Sequence, residues 1–437
     1  MALIFIAMKS LRFPLFAIAS FCYLIGVAQH HVNQTTNKCI EYVIGDSTAA
    51  TDDAYQILLD NIPVDPEYTA PQFAIIDNNK RFYMSLGATV KAIGTYDWCN
   101  PYDNPTDFKT SDLYKASPGN EQLTQMTIKS SSVNFNIVGM PSNKYRTGIF
   151  IALTFNGGTG NEFITKCDYA YIKIARFTLG YASSLYDDKS VNPYLIDGNG
   201  AGASGAHSNM TFNYQRYLNP YWKFGVALEM PRLSMTHFNK EETDPNQSTP
   251  DFPFYLQYGW NQNNHVRISS VIRTLPYINS VTQKRTSLMG YGVKLTSALT
   301  ARNATIFLMA QGGEGIANYL KNNEDRFLDL VPDDPATGQY RRTKSWGGLC
   351  AVQYDFSPSL FSTAMWGYMR NHVNEYAGGI IPFDGQLKYE HYAAVNFIWR
   401  ASPFVNIGAE YNYGIKRTFD NTAIHNNRIS AMVRVGF

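Results

Sequence analysis

From residue 81 onward the chain alternates between apolar and polar side chains. Phe82, Met84, Leu86, Ala88, Val90 and Ala92 form one stripe, with Tyr83, Ser85, Gly87, Thr89 and Lys91 between them. A period of two marks a strand with two unlike faces. The run is longer than the roughly ten residues a tilted strand needs to cross a bilayer. The same pattern recurs. Trp222, Phe224, Val226, Leu228 and Met230 alternate with Lys223, Gly225, Ala227 and Glu229. Met289, Tyr291, Val293 and Leu295 alternate with Gly290, Gly292, Lys294 and Thr296. Ile429, Ala431, Val433, Val435 and Phe437 alternate with Arg428, Ser430, Met432 and Arg434. The pattern predicts sixteen strands, near 81–96, 124–138, 145–156, 164–174, 176–184, 208–218, 221–230, 253–260, 265–275, 286–299, 303–312, 342–356, 359–371, 387–400, 404–417 and 426–437. The alternation slips in the second, fourth and twelfth.

The connections carry an independent pattern. Long ones, such as 97–123, 185–207, 231–252, 313–341 and 372–386, alternate with short ones, such as Asn219-Pro220, Asn261 to Asn264 and Ser357-Pro358. Outer-membrane barrels have long extracellular loops and short periplasmic turns. The expected fold is all-β, a transmembrane antiparallel barrel of about 16 strands over residues 81–437. If the first strand runs outward, every long connection falls outside. A soluble β-sandwich has no reason to show this asymmetry.

The residues before the barrel read differently. Lys9 and Arg12, then the apolar stretch 13–27, then Gly26-Val27-Ala28, make a secretory signal over 1–28, with Met8 as the expected start. A lipoprotein reading through Cys22 is weakened by Phe21, where a small residue is needed. Residues 29–80 do not alternate and are expected to be a short irregular periplasmic leader or plug segment. A short helix is predicted at 52–59, with Ala54, Ile57 and Leu58 on one face, before Pro63, Pro66 and Pro71 break regular structure.

Composition narrows the class. Charged residues are 16 % and aromatics 14 % of the 437 residues, against about 25 % charged in soluble domains. No apolar run of about 18 residues follows the N-terminal stretch, which argues against membrane-spanning helices. Aromatics gather at predicted strand ends, at Tyr96 and Trp98, Tyr217, Tyr221 and Trp222, Tyr258 and Trp260, Trp399, Tyr411 and Tyr413, as interfacial girdles do. Cys39, Cys99, Cys167 and Cys350 are widely spaced and are expected to be isolated thiols rather than metal ligands or bridges. Charge is split along the chain. Residues 29–80 carry a formal net charge of −6, and the barrel from 81 on carries +6.

Charge inside membrane strands is cheaper facing the lumen than facing lipid. Parity therefore points Lys91, Arg146, Arg176, Lys223, Arg267, Arg273, Lys294, Arg400, Lys416, Arg428 and Arg434 into the pore, with Glu229 and Glu410 as the clear inward acids. Rings of Arg and Lys favour anions. Sixteen strands enclose an aqueous channel unless something fills it. The third outer loop, 185–207, is the candidate constriction, with Asp187, Asp188 and Asp197. These carboxylates are also candidate partners that would hold the loop against the wall cations, and both roles stay open.

The stretch Tyr169 to Gly200 holds a strand, a tight turn, Gly180-Tyr181-Ala182-Ser183-Ser184, the acidic pair, Pro193 and Asp197-Gly198. It resembles the DcaP-like family of trimeric outer-membrane porins, and the strand ending in Phe437 agrees with that. The sequence departs from the family's pattern at Asp188 to Asn192, and Asn199 stands where the family has Pro. The resemblance implies a homotrimer that passes small, preferentially anionic solutes. The expected setting is the outer membrane of a Gram-negative bacterium, with outer-membrane lipid and the barrel-assembly machinery as partners.

Other classes have less support. A hydrolase needs a nucleophile, a base and an orienting group within reach. His30 and His31 lie at the signal cut, and His237, His265, His372, His391 and His425 lie at strand ends, in loops or on the apparent lipid face. No Ser has a GxSxG context, and Gly312-Gly313-Glu314-Gly315 lacks the Lys of a phosphate loop. No enzyme activity, cofactor, metal or nucleic-acid partner is expected. A structural or adhesive barrel plugged by the leader or by loop 313–341 is the alternative.

Overall fold

The computed structural model describes residues 42–45, 56–65, 68, 73–77, 81–140, 144–158, 162–205, 208–230, 233–238, 242, 244–261, 264–324, 326–373 and 386–437. Sixteen staves form the wall. They are β1 (Phe82–Trp98), β2 (Gln122–Thr127 continued by Ser132–Gly139), β3 (Thr147–Thr154), β4 (Lys166–Ile174), β5 (Phe177–Ser183), β6 (Ser208–Tyr217), β7 (Trp222–Glu229) and β8 (Phe252–Gly259). They continue as β9 (His265–Ile278), β10 (Arg285–Ala301), β11 (Ala304–Glu314), β12 (Lys344–Ser357), β13 (Leu360–His372), β14 (Leu387–Arg400), β15 (Val405–Thr418) and β16 (Ala423–Gly436). Each pairs antiparallel with its neighbours in sequence. β16 pairs with β1 from Asn427↔Trp98 to Gly436↔Thr89, and this closes the barrel. Closure leaves no unpaired edge for lipid to meet.

The three places where the alternation slips are breaks in the ladder. β2 is interrupted at 128–131, where Ser131 Oγ accepts the Lys91 N–H at 3.1 Å in place of a strand partner. β4 carries a bulge opposite Ala152 and Leu153. β12 carries one between Asp355 and Ser357. A bulge adds one residue and so flips the parity beyond it.

Parity separates the two faces. Along β16, Ile429, Val433 and Val435 are exposed to the surroundings while Arg428, Ser430 and Arg434 are buried inside. β9 repeats this with Val266, Ile268 and Ile272 outside and Arg267, Ser269 and Arg273 inside. An apolar outside with a polar inside is the lipid-spanning arrangement. Aromatic clusters mark both rims. Tyr96 stacks on Trp98 at 5.8 Å at the end bearing long loops, and Trp222 packs on Tyr258 at 5.0 Å at the end bearing short turns. Cys99, Cys167 and Cys350 are free thiols.

The leader is only partly irregular. Tyr42–Gly45 runs parallel to Phe73–Ile76, which pairs antiparallel with β1 at Tyr83 to Ser85. The β16 ladder ends near Ala88, so this short strand takes the edge of β1 left open below it. Residues 56–59 make one helical turn. The chain then lies on the inner wall of β2 to β5. Leu58 packs with Tyr83 and Val138, and Ile62 packs with Phe150, Ala152, Tyr169 and Tyr171. Asn61 fills the notch left by the missing side chain of Gly148 and donates to Asn136 Oδ1 at 2.7 Å. The signal segment, Met8, Cys22, Cys39 and the first half of the predicted helix lie outside the described residues.

Ile268→Arg would put a charge on the lipid face of β9. It should cost about 2–4 kcal/mol in unfolding from lipid if that position lies near the bilayer midplane. An unchanged stability would contradict the facing of β9.

Candidate functional site: a constricted lumen

Loop 184–205 leaves β5 and runs along the inner wall as far as β15. At its start and again past its middle it is held by wall carboxylates that accept backbone N–H groups. Glu229 of β7 accepts from Leu185 N at 2.8 Å. Glu410 of β15 accepts from Ile196 N at 2.7 Å and Asp197 N at 2.9 Å, and also from Asn396 and Asn412. Between those two points Asp187 and Asp188 face the wall. Asp187 pairs with Lys294 of β10 at 3.0 Å, and the ammonium also lies 4.8 Å from the Tyr186 ring centre. Asp188 meets His265 Nε2 at 2.9 Å and accepts from Thr296 at 2.6 Å. Asp197 accepts from Phe108 N, Asn199 N, Gly200 N and the Tyr392 hydroxyl. Small residues let the loop lie flat. A Cβ on Gly367 would come within 2.4 Å of Ala201 Cβ, and one on Gly347 within 2.8 Å of Ala203 Cβ.

Electrostatics agree with the geometry. Burial raises the Asp188 carboxyl, but the His265 hydrogen bond and the charges of Arg267 and His265 outweigh it and hold the group below its usual range. Burial likewise raises Asp187, and Lys294 and Lys189 bring it below its usual range.

Two other outer loops fold in beside this one. Loop 99–121 is anchored by Lys416, which donates to Ser111 O at 3.0 Å, and by Arg428, whose guanidinium lies beside Tyr102 and Phe108. Loop 315–343 brings Asn322 onto Glu390 at 2.9 Å and Lys321 onto the carbonyls of Gly198 and Asn199 at 2.9 and 2.8 Å. A cavity of about 150 Å³ remains, lined by two cations, Lys189 and Lys321, and two carboxylates, Asp197 and Asp65 of the leader, with Asn192 and Tyr194 among others. Burial pushes the Lys321 ammonium down, and Lys189 adds to the effect.

The structure sorts the wall residues expected from parity. Lys91 and Arg434 are buried inward and sit opposite each other across β1 and β16. Arg273 is wholly buried between Asp251 at 2.6 Å and Asp329 at 2.8 Å. Lys294, Lys416 and Arg428 are buried and engaged as described, Arg428 also with Asp97 at 2.9 Å. Arg267 donates to Leu185 O and lies 3.7 Å from the Tyr255 ring centre. Arg146 meets Asp60 at 3.4 Å, and Lys223 lies 5.5 Å from the Tyr217 ring centre. Arg400 caps the periplasmic end of β14, over the Phe361 ring at 4.4 Å. Arg176 falls elsewhere. It stands exposed in the turn between β4 and β5 and hydrogen-bonds Tyr214, so it is a rim residue and not a lumen residue. Of the expected acids, Asp187 and Asp188 turn away from the cavity into the wall, while Asp197 is held by its hydrogen bonds and still lines the cavity.

Sequence reasoning missed Lys189, Lys321 and Asp65, because residues in loops and in the leader carry no period to orient them. It also missed two inward acids that parity could have found. Glu390 lies between the outward Tyr389 and His391, and Asp97 lies one residue beyond the expected end of β1.

No family model and no curated protein sequence matches the chain. Solved structures share its fold. The outer membrane channel DcaP of Acinetobacter baumannii superposes with a TM-score of 0.70 at 18 % identity, covering 82 % of this chain and 98 % of that one. The anion-selective porin from Comamonas acidovorans gives 0.52 at 9 % identity, covering 82 % and 100 %. OmpT of Vibrio cholerae in its trimer form gives the same three values with 100 % of its own length covered. The fold is that of outer-membrane channels, in agreement with the resemblance carried by residues 169–200.

Glu410→Ala removes the acceptor for Ile196 N and Asp197 N. Single-channel recordings should show a larger and noisier conductance, and an unchanged trace would contradict the clamp. The two depressed Asp groups stabilise the folded loop fully above the ordinary Asp value of about 3.9 and lose that contribution as pH falls through their lowered values. Rate-corrected hydrogen exchange over 184–192 should therefore stay slow down to about pH 4. Protection lost near neutrality would contradict this assignment.

Proposed function

We propose that this chain is a porin of a Gram-negative outer membrane, a passive channel for small hydrophilic solutes that prefers anions. Loop 185–207 is its constriction. The observation that carries the reading is the sorting of charge at the narrow point. The loop's acids Asp187 and Asp188 turn into the wall, while Lys189 and Lys321 line the remaining opening. An anion entering there meets two ammonium groups in a site of reduced water access, where their attraction exceeds its value in bulk water. Asp65 and Asp197 line the same cavity, and Lys189 also lies 3.7 Å from Asp187, so the positive field is a limited one. Buried wall cations such as Arg267 and Lys294 hold the loop and supply background positive potential.

The same reading includes cleavage of a signal after residue 28, insertion by the barrel-assembly machinery and assembly as a homotrimer. Trimerisation is supported by the shared fold with the Vibrio cholerae barrel in its trimer form. Residues 56–65 and Tyr68 occupy part of the lumen beside β2 to β5, so the leader acts as a partial plug within a conducting pore. A fully plugged structural barrel is the second reading, and those same residues are what favour it.

Planar-bilayer recordings in a salt gradient decide between them. The account expects conductance in three equal steps with an anion-selective reversal potential. Lys189→Glu should shift that potential toward cation selectivity without abolishing conductance. Cation selectivity of the unaltered protein, or no conductance, would overturn the proposal.

A further inference from the structure

The outward face of β10 to β15 differs from the rest of the lipid belt. Its extracellular end points cations at the membrane. Direct cross-strand register places Lys344 beside His372, Trp346 beside Arg370, Arg370 beside Tyr389 and Tyr389 beside Arg417. Arg342, just before β12, lies 5.7 Å from the Tyr291 ring centre. One carboxylate answers them among the described residues: Glu314 pairs with Arg342 at 2.9 Å and Lys344 at 3.5 Å. Among the described residues the buried Nε atoms of Arg370 and Arg417 have no hydrogen-bond partner, while Arg417 Nη1 donates to the Tyr389 hydroxyl at 3.4 Å. Outward cations cost little near the interface, but crowding them at one height makes them repel one another, and a single carboxylate offsets this only in part.

A groove of about 470 Å³ lies directly below. Ala310, Gly312 and Gly348 form its floor. Val293 and Leu295 form one bank, and Trp346, Trp366 and Tyr368 form the other. Register ties groove to cations. Val293, Gly312, Trp346 and Arg370 are successive cross-strand neighbours, and Leu295, Ala310, Gly348 and Tyr368 form the next row. The floor cannot rise without strain, because a Cβ on Gly348 would come within 2.6 Å of Met309 O.

We infer that this face binds one phosphorylated lipid of the outer leaflet. Its phosphate is held by Arg370 and Lys344 with Arg342 and Arg417 flanking, and one acyl chain lies in the groove. Guanidinium groups match phosphate oxygens in a forked geometry. Basic side chains at a membrane surface select anionic headgroups. The inference rests on the outer-membrane reading above. A second copy of the chain fits this face less well, since a three-fold contact would gather three cationic rims around one axis.

The test uses the purified full chain in detergent with bisphosphorylated lipid A as the probe, read by native mass spectrometry and thermal unfolding. The account expects a bound lipid and a raised Tm. Dephosphorylated lipid A should bind far more weakly. Lys344→Glu with Arg370→Glu should weaken binding by about tenfold or more. Ala310→Phe, which fills the groove and leaves the cations in place, should weaken it too. Equal binding of the dephosphorylated probe, or binding unchanged in both variants, would overturn the inference. So would an Ala310→Cys variant that cross-links copies of the chain to one another. Bilayers lacking lipid A report channel activity separately, so a failed lipid site and a failed channel reading are distinguishable.

Discussion

A backbone in hydrocarbon has no water to bond, so each N–H and C=O must find its partner within the sheet. The pairing of Ala423–Gly436 with Phe82–Trp98 meets that demand by closing the wall. Everything else follows from closure. Alternate residues are forced to face inward, so the polar half of each strand gathers in one lumen. Where the ladder of the last strand runs out beside Ala88, Phe73–Ile76 supplies the missing partner, and this draws the leader to the barrel's periplasmic end.

A lumen this wide is filled by water or by protein, and here the outer loops that hold residues 99–121, 184–205 and 315–324 enter it. Their docking reverses the usual expectation for charged walls. The inward acids Glu229, Glu410 and Glu390 serve as acceptors for loop N–H, amide and hydroxyl groups. The inward cations Lys294, Lys416 and Arg428 pair with loop carboxylates, carbonyls and aromatic faces. A buried charge without a partner is costly, so each such contact fixes a loop as it satisfies the wall. Much of the positive lumen charge is spent structurally. The cations that line the remaining cavity, Lys189 and Lys321, come from the loops rather than from the strands, with Asp65 and Asp197 beside them.

That division explains what was legible in the sequence. A period of two marks a strand wherever one face meets lipid, so all sixteen staves were readable. The slips at 128–131, near Asp168 and at Asp355 were real breaks in the ladder, where parity changes. Parity orients a residue only while the strand continues. Arg176 sits one residue past a strand end, in a turn, and so escaped the rule. The loops have no period at all. Whether Asp187 faces solute or Lys294 depends on contacts between residues more than a hundred positions apart, which no local pattern encodes. The leader's docking was hidden for the same reason, since the notch at Gly148 exists only once β2 to β4 are side by side.

The central claim is that loop 184–205 lies flat on the inner wall in the membrane. Ala201→Cys with Gly367→Cys, in a background with Cys39, Cys99, Cys167 and Cys350 changed to Ser, tests it. The ideal Cβ at Gly367 stands 2.4 Å from Ala201 Cβ and no closer than 3.6 Å to the neighbouring strand, so a shift of about 1 to 1.5 Å reaches bonding geometry. Oxidation of the membrane-inserted protein should form the disulfide and leave single-channel conductance unchanged, because the bond fixes the loop where it already lies. No disulfide, or a disulfide that markedly alters conductance, would contradict the account.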